Sequence, residues 1–147
     1  MSVTLAKGGN VSLSKQAPDL TKVAIGLGWD VRTTTGADYD LDASALACGT
    51  DLKVLSDLHF IFYNNLRSPE GTIEHTGDNL TGEGDGDDEV INIDLAATPP
   101  SITNVFFAVS IHDADAPALL SLVWRGTTGP AVRELVTHCR RAFAEPA

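Results

Sequence analysis

Thirteen residues constrain this chain more than any others: Gly77-Asp78-Asn79-Leu80-Thr81-Gly82-Glu83-Gly84-Asp85-Gly86-Asp87-Asp88-Glu89. They hold six carboxylates and four glycines. Carboxylates roughly 5 Å apart repel by about 1 kcal/mol per pair in water, and several-fold more where they are partly buried. A loop of this composition either stays solvated and extended or folds tightly around something cationic. The next residues favour the second outcome. Val90-Ile91-Asn92-Ile93-Asp94-Leu95 alternates apolar and polar side chains, so a half-buried strand starts directly after the acids. The glycines let a short loop wrap back on itself. Asp, Asn, Thr and backbone carbonyls are hard oxygen ligands, and the stretch contains no Cys or His. That donor set suits Ca²⁺, with Mg²⁺ or Mn²⁺ behind it, and argues against Zn²⁺ or Cu²⁺. It is not an EF-hand: counting from Asp78 the third residue is Leu80, and counting from Asp85 the sixth is Val90.

A chain of 147 residues fits one domain with a real core. A net charge of −10 argues against nucleic acid and against anionic membranes, both of which require Lys/Arg patches. The charge is uneven, −12 over residues 1–116 and +2 over 117–147. Cys48 and Cys139 have no CxxC partner and read as reduced packing residues. Met1 to Gly8 lacks an apolar leader core, and no apolar run is long enough to span a membrane. The expected compartment is the cytoplasm.

Strand signals recur along the chain. Val3, Leu5, Val11 and Leu13 around Lys7-Gly8-Gly9-Asn10 suggest a hairpin-like opening. Lys22 to Trp29 puts Val23, Ile25, Leu27 and Trp29 on one strand face. Ala24, Gly26 and Gly28 leave the other face nearly bare, open to close approach by a backbone or a ligand. Asp30 follows at the strand's mouth. Asp40 and Asp42 share a face of the next extended stretch by the two-residue rule. Leu58 to Tyr63 is the most strand-like run, ending in a turn at Asn64-Asn65, and residues 70–76 form a weak strand. Val105 to Ile111 reads as a strand buried on both faces. The pattern predicts a mainly β fold, a β-sandwich. In the tail, Val132, Leu135, Val136, Cys139 and Phe143 after Pro130 predict a helix over 130–143.

These segments resemble the TerD family, the tellurium-resistance and general stress proteins of bacteria. The match rests on Leu5-Ala6-Lys7-Gly8-Gly9-Asn10-Val11-Ser12-Leu13 leading to Gly26-Leu27-Gly28-Trp29-Asp30, on Tyr39-Asp40-Leu41-Asp42-Ala43-Ser44, on the acidic loop, and on Ile111-His112-Asp113-Ala114. The resemblance implies a β-sandwich that binds Ca²⁺ through these acidic segments and has no established catalytic activity. It covers residues 1–116, a calcium-binding β domain. Residues 117–147 depart from it as an atypical tail, for which a shifted reading frame and a divergent replacement are both compatible sources. The family's closing strands are missing from that tail, which predicts an incomplete sandwich whose open edges invite self-association.

The expected metal ligands are Asp78, Asp85, Asp87 and Asp88 from the loop, completed by Asn79, Thr81 or backbone carbonyls, with Glu89 able to chelate through both oxygens. Asp30, Asp40 and Asp42 are the donors from neighbouring strands, and the resemblance supports them. So many carboxylates accommodate two Ca²⁺ ions more easily than one, at six to eight oxygens each. His59, His75, His112 and His138 show no metal-ligand spacing and read as structural or exposed. No nucleophile motif or P-loop is present. Two functions follow. One is a non-catalytic Ca²⁺-binding stress module acting through a metal-ordered surface on protein partners of a stress-response complex. The alternative is an Mg²⁺- or Mn²⁺-dependent hydrolase or phosphoryl-transfer enzyme built on the same acids.

Overall fold

The computed structural model describes residues 6, 9–28, 40–78, 87–111, 120–126 and 132–139. The described residues form two antiparallel sheets. The larger has β1 (Asn10–Val11), β9 (Val132–Cys139), β8 (Leu120–Gly126), β7 (Asn104–Ile111), β3 (Leu41–Cys48) and β4 (Phe60–Ile61), in that spatial order. The smaller runs β2 (Lys22–Leu27), β6 (Glu89–Asp94) and β5 (Ile73–His75). One short helix, α1 (Leu13–Gln16), follows β1. The β-sandwich expectation therefore holds.

The core lies between the sheets, and the pattern of side-chain size explains it. β3 contributes Ala43, Ala45 and Ala47, all buried, so the opposing sheet can approach closely. That sheet supplies Ile73, Ile91 and Ile93, while Val105 and Phe107 of β7 fill the space alongside. Val23, Ile25 and Leu27 of β2 pack against this cluster as half-buried residues. Each fully buried Ile contributes about 1.5–3 kcal/mol relative to exposure. β6 shows the alternation expected from its sequence: Glu89, Ile91 and Ile93 are buried, and Asn92 is exposed.

Several expectations require correction. The helix over 130–143 is replaced, in its described part, by strand β9. β9 pairs with β8 from Leu120↔Cys139 to Gly126↔Val132 and with β1 at Val136 and Leu135. The i, i+3, i+4 spacing was ambiguous because Val132, Val136 and Thr137 are β-branched residues that suit strands. The open edge of β8 settles it, since only a strand can pair that edge's row of N–H and C=O groups. β8 itself pairs with β7 from Asn104↔Arg125 to Val109↔Leu120. The tail thus extends the sheet instead of leaving it incomplete at β7.

The hairpin-like opening lies largely outside the described residues, with Val3, Leu5, Lys7 and Gly8 among those not described. Val11 lies in β1 against the distant β9, and Leu13 begins α1. Within Leu58 to Tyr63 only Phe60–Ile61 is strand. Asp57–His59 is a 3-10 turn, and Phe62 and Asn65 bond each other's backbones across the tight turn that follows. In β7, Val105 and Phe107 are buried but Phe106 and Ala108 only half-buried, so one face carries the core.

Candidate metal centre

Three of the expected ligands converge. Carboxylate oxygens of Asp40, Asp42 and Asp78 lie within 4.8 Å of one another. Asp40 immediately precedes β3 and Asp42 is its second residue, which places both at one end of the strand. Asp78 arrives from the end of β5 through Gly77, whose φ of 121° is a conformation that L side chains rarely adopt. A glycine there is a backbone requirement, because nothing lies within 4 Å of where a Cβ would stand.

The group carries unrelieved electrostatic cost. Asp40 Oδ1 is buried without a hydrogen-bond partner. The carboxyl of Asp78 is held above its ordinary value of 3.8 by partial burial first, then by a hydrogen bond to Glu89 and by the charges of Glu89 and Asp40. Two carboxyl groups can hydrogen-bond each other only if one carries a proton. A divalent cation would replace that proton and give Asp40 Oδ1 the partner it lacks. The donor set is all hard oxygen, so these residues fit a Ca²⁺-type ion.

Glu89 and His75 support the group from below. Glu89 is wholly buried at the start of β6, and its Oε2 accepts the Ala43 N–H at 2.7 Å. His75 Nδ1 accepts the Gly77 N–H at 3.0 Å, which makes Nε2 the protonated nitrogen of a neutral ring. That Nε2–H donates to the Ala43 carbonyl at 3.1 Å. β4 covers the edge of β3 only at Ala45 and Leu46. At Ala43 two side chains from the other sheet therefore satisfy the exposed edge. The reading of His75 as structural holds, but its pairing with Ala43 has no sequence signal, since the partner lies 32 residues away.

The remaining expected ligands are placed differently or are not described. The Asp87 carboxylate lies directly over Gly26, where any Cβ would overlap it. This is the close approach that the bare face of β2 suggested. The Asp88 N–H bonds the Leu27 carbonyl at 2.9 Å, continuing the β2–β6 pairing by one residue. Asp30, Asn79 and Asp85 lie outside the described residues. His59 is engaged elsewhere, with Ser56 at 2.7 Å and Glu70 at 3.2 Å.

Comparison with known proteins places this chain in a family. The TerD domain matches residues 1–119, against the 116 expected. The chain is 59% identical over 116 residues to a protein named tellurium resistance protein TerD from Alcaligenes sp., a match covering 79% of this chain and 60% of that one. General stress protein 16U of Bacillus subtilis (strain 168) is 46% identical over 117 residues, covering 79% of this chain and 61% of its own length. The chain thus matches about 60% of the length of these curated relatives. A crystal structure of a homologue of telluride resistance protein (TerD) from Streptomyces coelicolor A3(2) superposes with a TM-score of 0.59 at 21% identity. That superposition covers 86% of this chain and 93% of that one, a likeness of fold. With the domain match spanning most of its length, the chain belongs to the TerD family.

Proposed function

We propose that this chain is a Ca²⁺-binding, non-catalytic module of the bacterial stress response, of the tellurite-resistance kind. The observation that carries the reading is the convergence of Asp40, Asp42 and Asp78 within 4.8 Å around a buried, unpartnered carboxylate oxygen. The names of its relatives, tellurium resistance protein and general stress protein, support the physiological side. Two ions bind, the second held by the acidic loop through Asp85, Asp87 and Asp88, with Asp30, Asn79 and Glu89 completing the two shells. The ions order the surface around the loop, and protein partners in the cytoplasm read that surface. Self-association through open strand edges belongs to the same proposal. Among the described residues no helix is long and apolar enough to cross a membrane.

Isothermal titration tests the reading. Two Ca²⁺ sites that Mg²⁺ competes for only weakly are the expected result. No binding at millimolar Ca²⁺ would sink it, and Mg²⁺- or Mn²⁺-dependent turnover of phosphoesters would establish the hydrolase instead.

A further inference from the structure

We propose that the outer face of the three-stranded sheet binds a small zwitterion, an amino acid or short peptide with free ends, at a place separate from the metal centre. Strand register builds the site. Ala24 of β2 lies beside Asn92 of β6, which lies beside Glu74 of β5, and Glu74 is bridged in turn to Arg67. The neighbouring row pairs Lys22 with Asp94, whose N–H bonds the Thr72 carbonyl at 2.8 Å. Ala24 and Asn92 are exposed, while Ile91 and Ile93 beside Asn92 turn into the core. Because Ala24 carries only a methyl group, the face is hollow there. The hollow is a cleft of about 510 Å³ lined by Lys22, Ala24, Arg67, Thr72, Glu74 and Asn92, among others. That volume falls within the usual range for small-molecule sites.

Thr72 supplies an independent sign of a ligand. It lines the cleft, is only 5% exposed, and its Oγ1 has no hydrogen-bond partner. A buried hydroxyl stripped of water and left unpaired is disfavoured, so such groups normally have a partner.

The charge pattern selects the ligand class. Two cations, Lys22 and Arg67, face the cleft together with two acids, Glu74 and Asp94. A simple oxyanion would meet both carboxylates on a protein of net charge −10, and a simple cation would meet Lys22 and Arg67. A molecule carrying a carboxylate and an ammonium group matches both signs. Arg67 is positioned by a bond from Nη2 to the Gly71 carbonyl at 3.4 Å, and its guanidinium fork suits a carboxylate. The Thr72 hydroxyl donates to the same carboxylate, and Glu74 accepts the ammonium. Lys22 is tied to Asp94 at 3.5 Å and closes the anionic end.

Amide chemical shifts of the full chain in a chelating buffer test the proposal without involving the metal reading, because no metal-site carboxylate takes part. Glycylglycine should shift the amides of Ala24, Thr72, Glu74 and Asn92 saturably. Acetate, ethylammonium and inorganic phosphate should bind roughly ten-fold more weakly or not at all. Ala24→Leu, which fills the hollow from an exposed position, and the near-isosteric Thr72→Val should each weaken glycylglycine binding roughly ten-fold. Acetate or phosphate saturating the same amides as strongly would show an anion site only and overturn the proposal. An absence of saturable shifts would overturn it too, as would an Ala24→Leu protein that binds unchanged.

Discussion

His75 Nε2 and Glu89 Oε2 lie 3.4 Å apart, both side chains wholly buried, and together they take the N–H and the C=O of a single residue, Ala43, in the opposite sheet. The His75 ring is neutral, so this is a hydrogen-bonded clasp and not an ion pair. It joins the smaller sheet to the larger directly beneath Asp40, Asp42 and Asp78.

Removing one half of the clasp should cost stability. His75→Phe keeps the ring volume but leaves the Ala43 carbonyl and the Gly77 N–H without their side-chain partner. At about 1–3 kcal/mol for an unsatisfied buried group, and about 1 kcal/mol for the half-buried Gly77 N–H, a loss of roughly 2–4 kcal/mol is expected. Glu89→Gln can still accept the Ala43 N–H and should cost roughly half as much. Urea unfolding in chelating buffer measures both, and an unchanged midpoint for His75→Phe would refute the clasp.

The metal-free protein should lose stability as pH rises through the native titration of Asp78. Its native value is raised above 3.8, so between the two values the native state binds more protons than the unfolded state. Stability then falls with rising pH: the contribution is fully present below the ordinary value and lost through the native one. Comparing wild type with Asp78→Asn in chelating buffer isolates this group. Saturating Ca²⁺ should remove the effect, and parallel profiles without metal would contradict it.

Asp40→Asn combined with Asp42→Asn should abolish one Ca²⁺ site while leaving the metal-free fold intact or slightly more stable, because like charges are removed. In the wild type, Ca²⁺ at about 100 times its dissociation constant should add roughly 2.7 kcal/mol per site. Thermal melts with and without Ca²⁺ should therefore differ less in the variant. The matching pair Asp85→Asn and Asp87→Asn should remove the other site, and unchanged stoichiometry in either double variant would disprove the assignment.

Truncation after residue 119 should cause association. It strips β8 and β9 from the sheet and exposes the six residues of β7 that β8 pairs, from Asn104 to Val109. Light scattering on the eluting peaks should show larger species for the truncated chain than for the full one. Identical monomeric peaks would mean that the tail strands are dispensable.

Part of the candidate site was legible in the sequence because it rests on local rules. The two-residue spacing put Asp40 and Asp42 on one face, and the alternation after Glu89 tied the acidic loop to a strand. The bare face of β2 likewise foretold the close approach of Asp87 to Gly26. The distribution of roles among the acids was not legible. Glu89 reads in sequence like its acidic neighbours, yet it faces inward and bonds a backbone 46 residues away.

Composition and period by themselves determined that this chain is built of strands and concentrates negative charge at one loop. The first follows from the alternation of neighbouring side chains, and the second from the residue types of that one stretch. Only tertiary structure decided that Asp78 joins Asp40 and Asp42, that His75 and Glu89 clasp Ala43, and that residues 132–139 are a strand. The physical reason is common to the last two: each answers an unsatisfied group on a distant strand. The open edge of β8 required backbone partners, and the uncovered N–H and C=O of Ala43 required a donor and an acceptor. No local pattern records needs that arise only when the sheets come together.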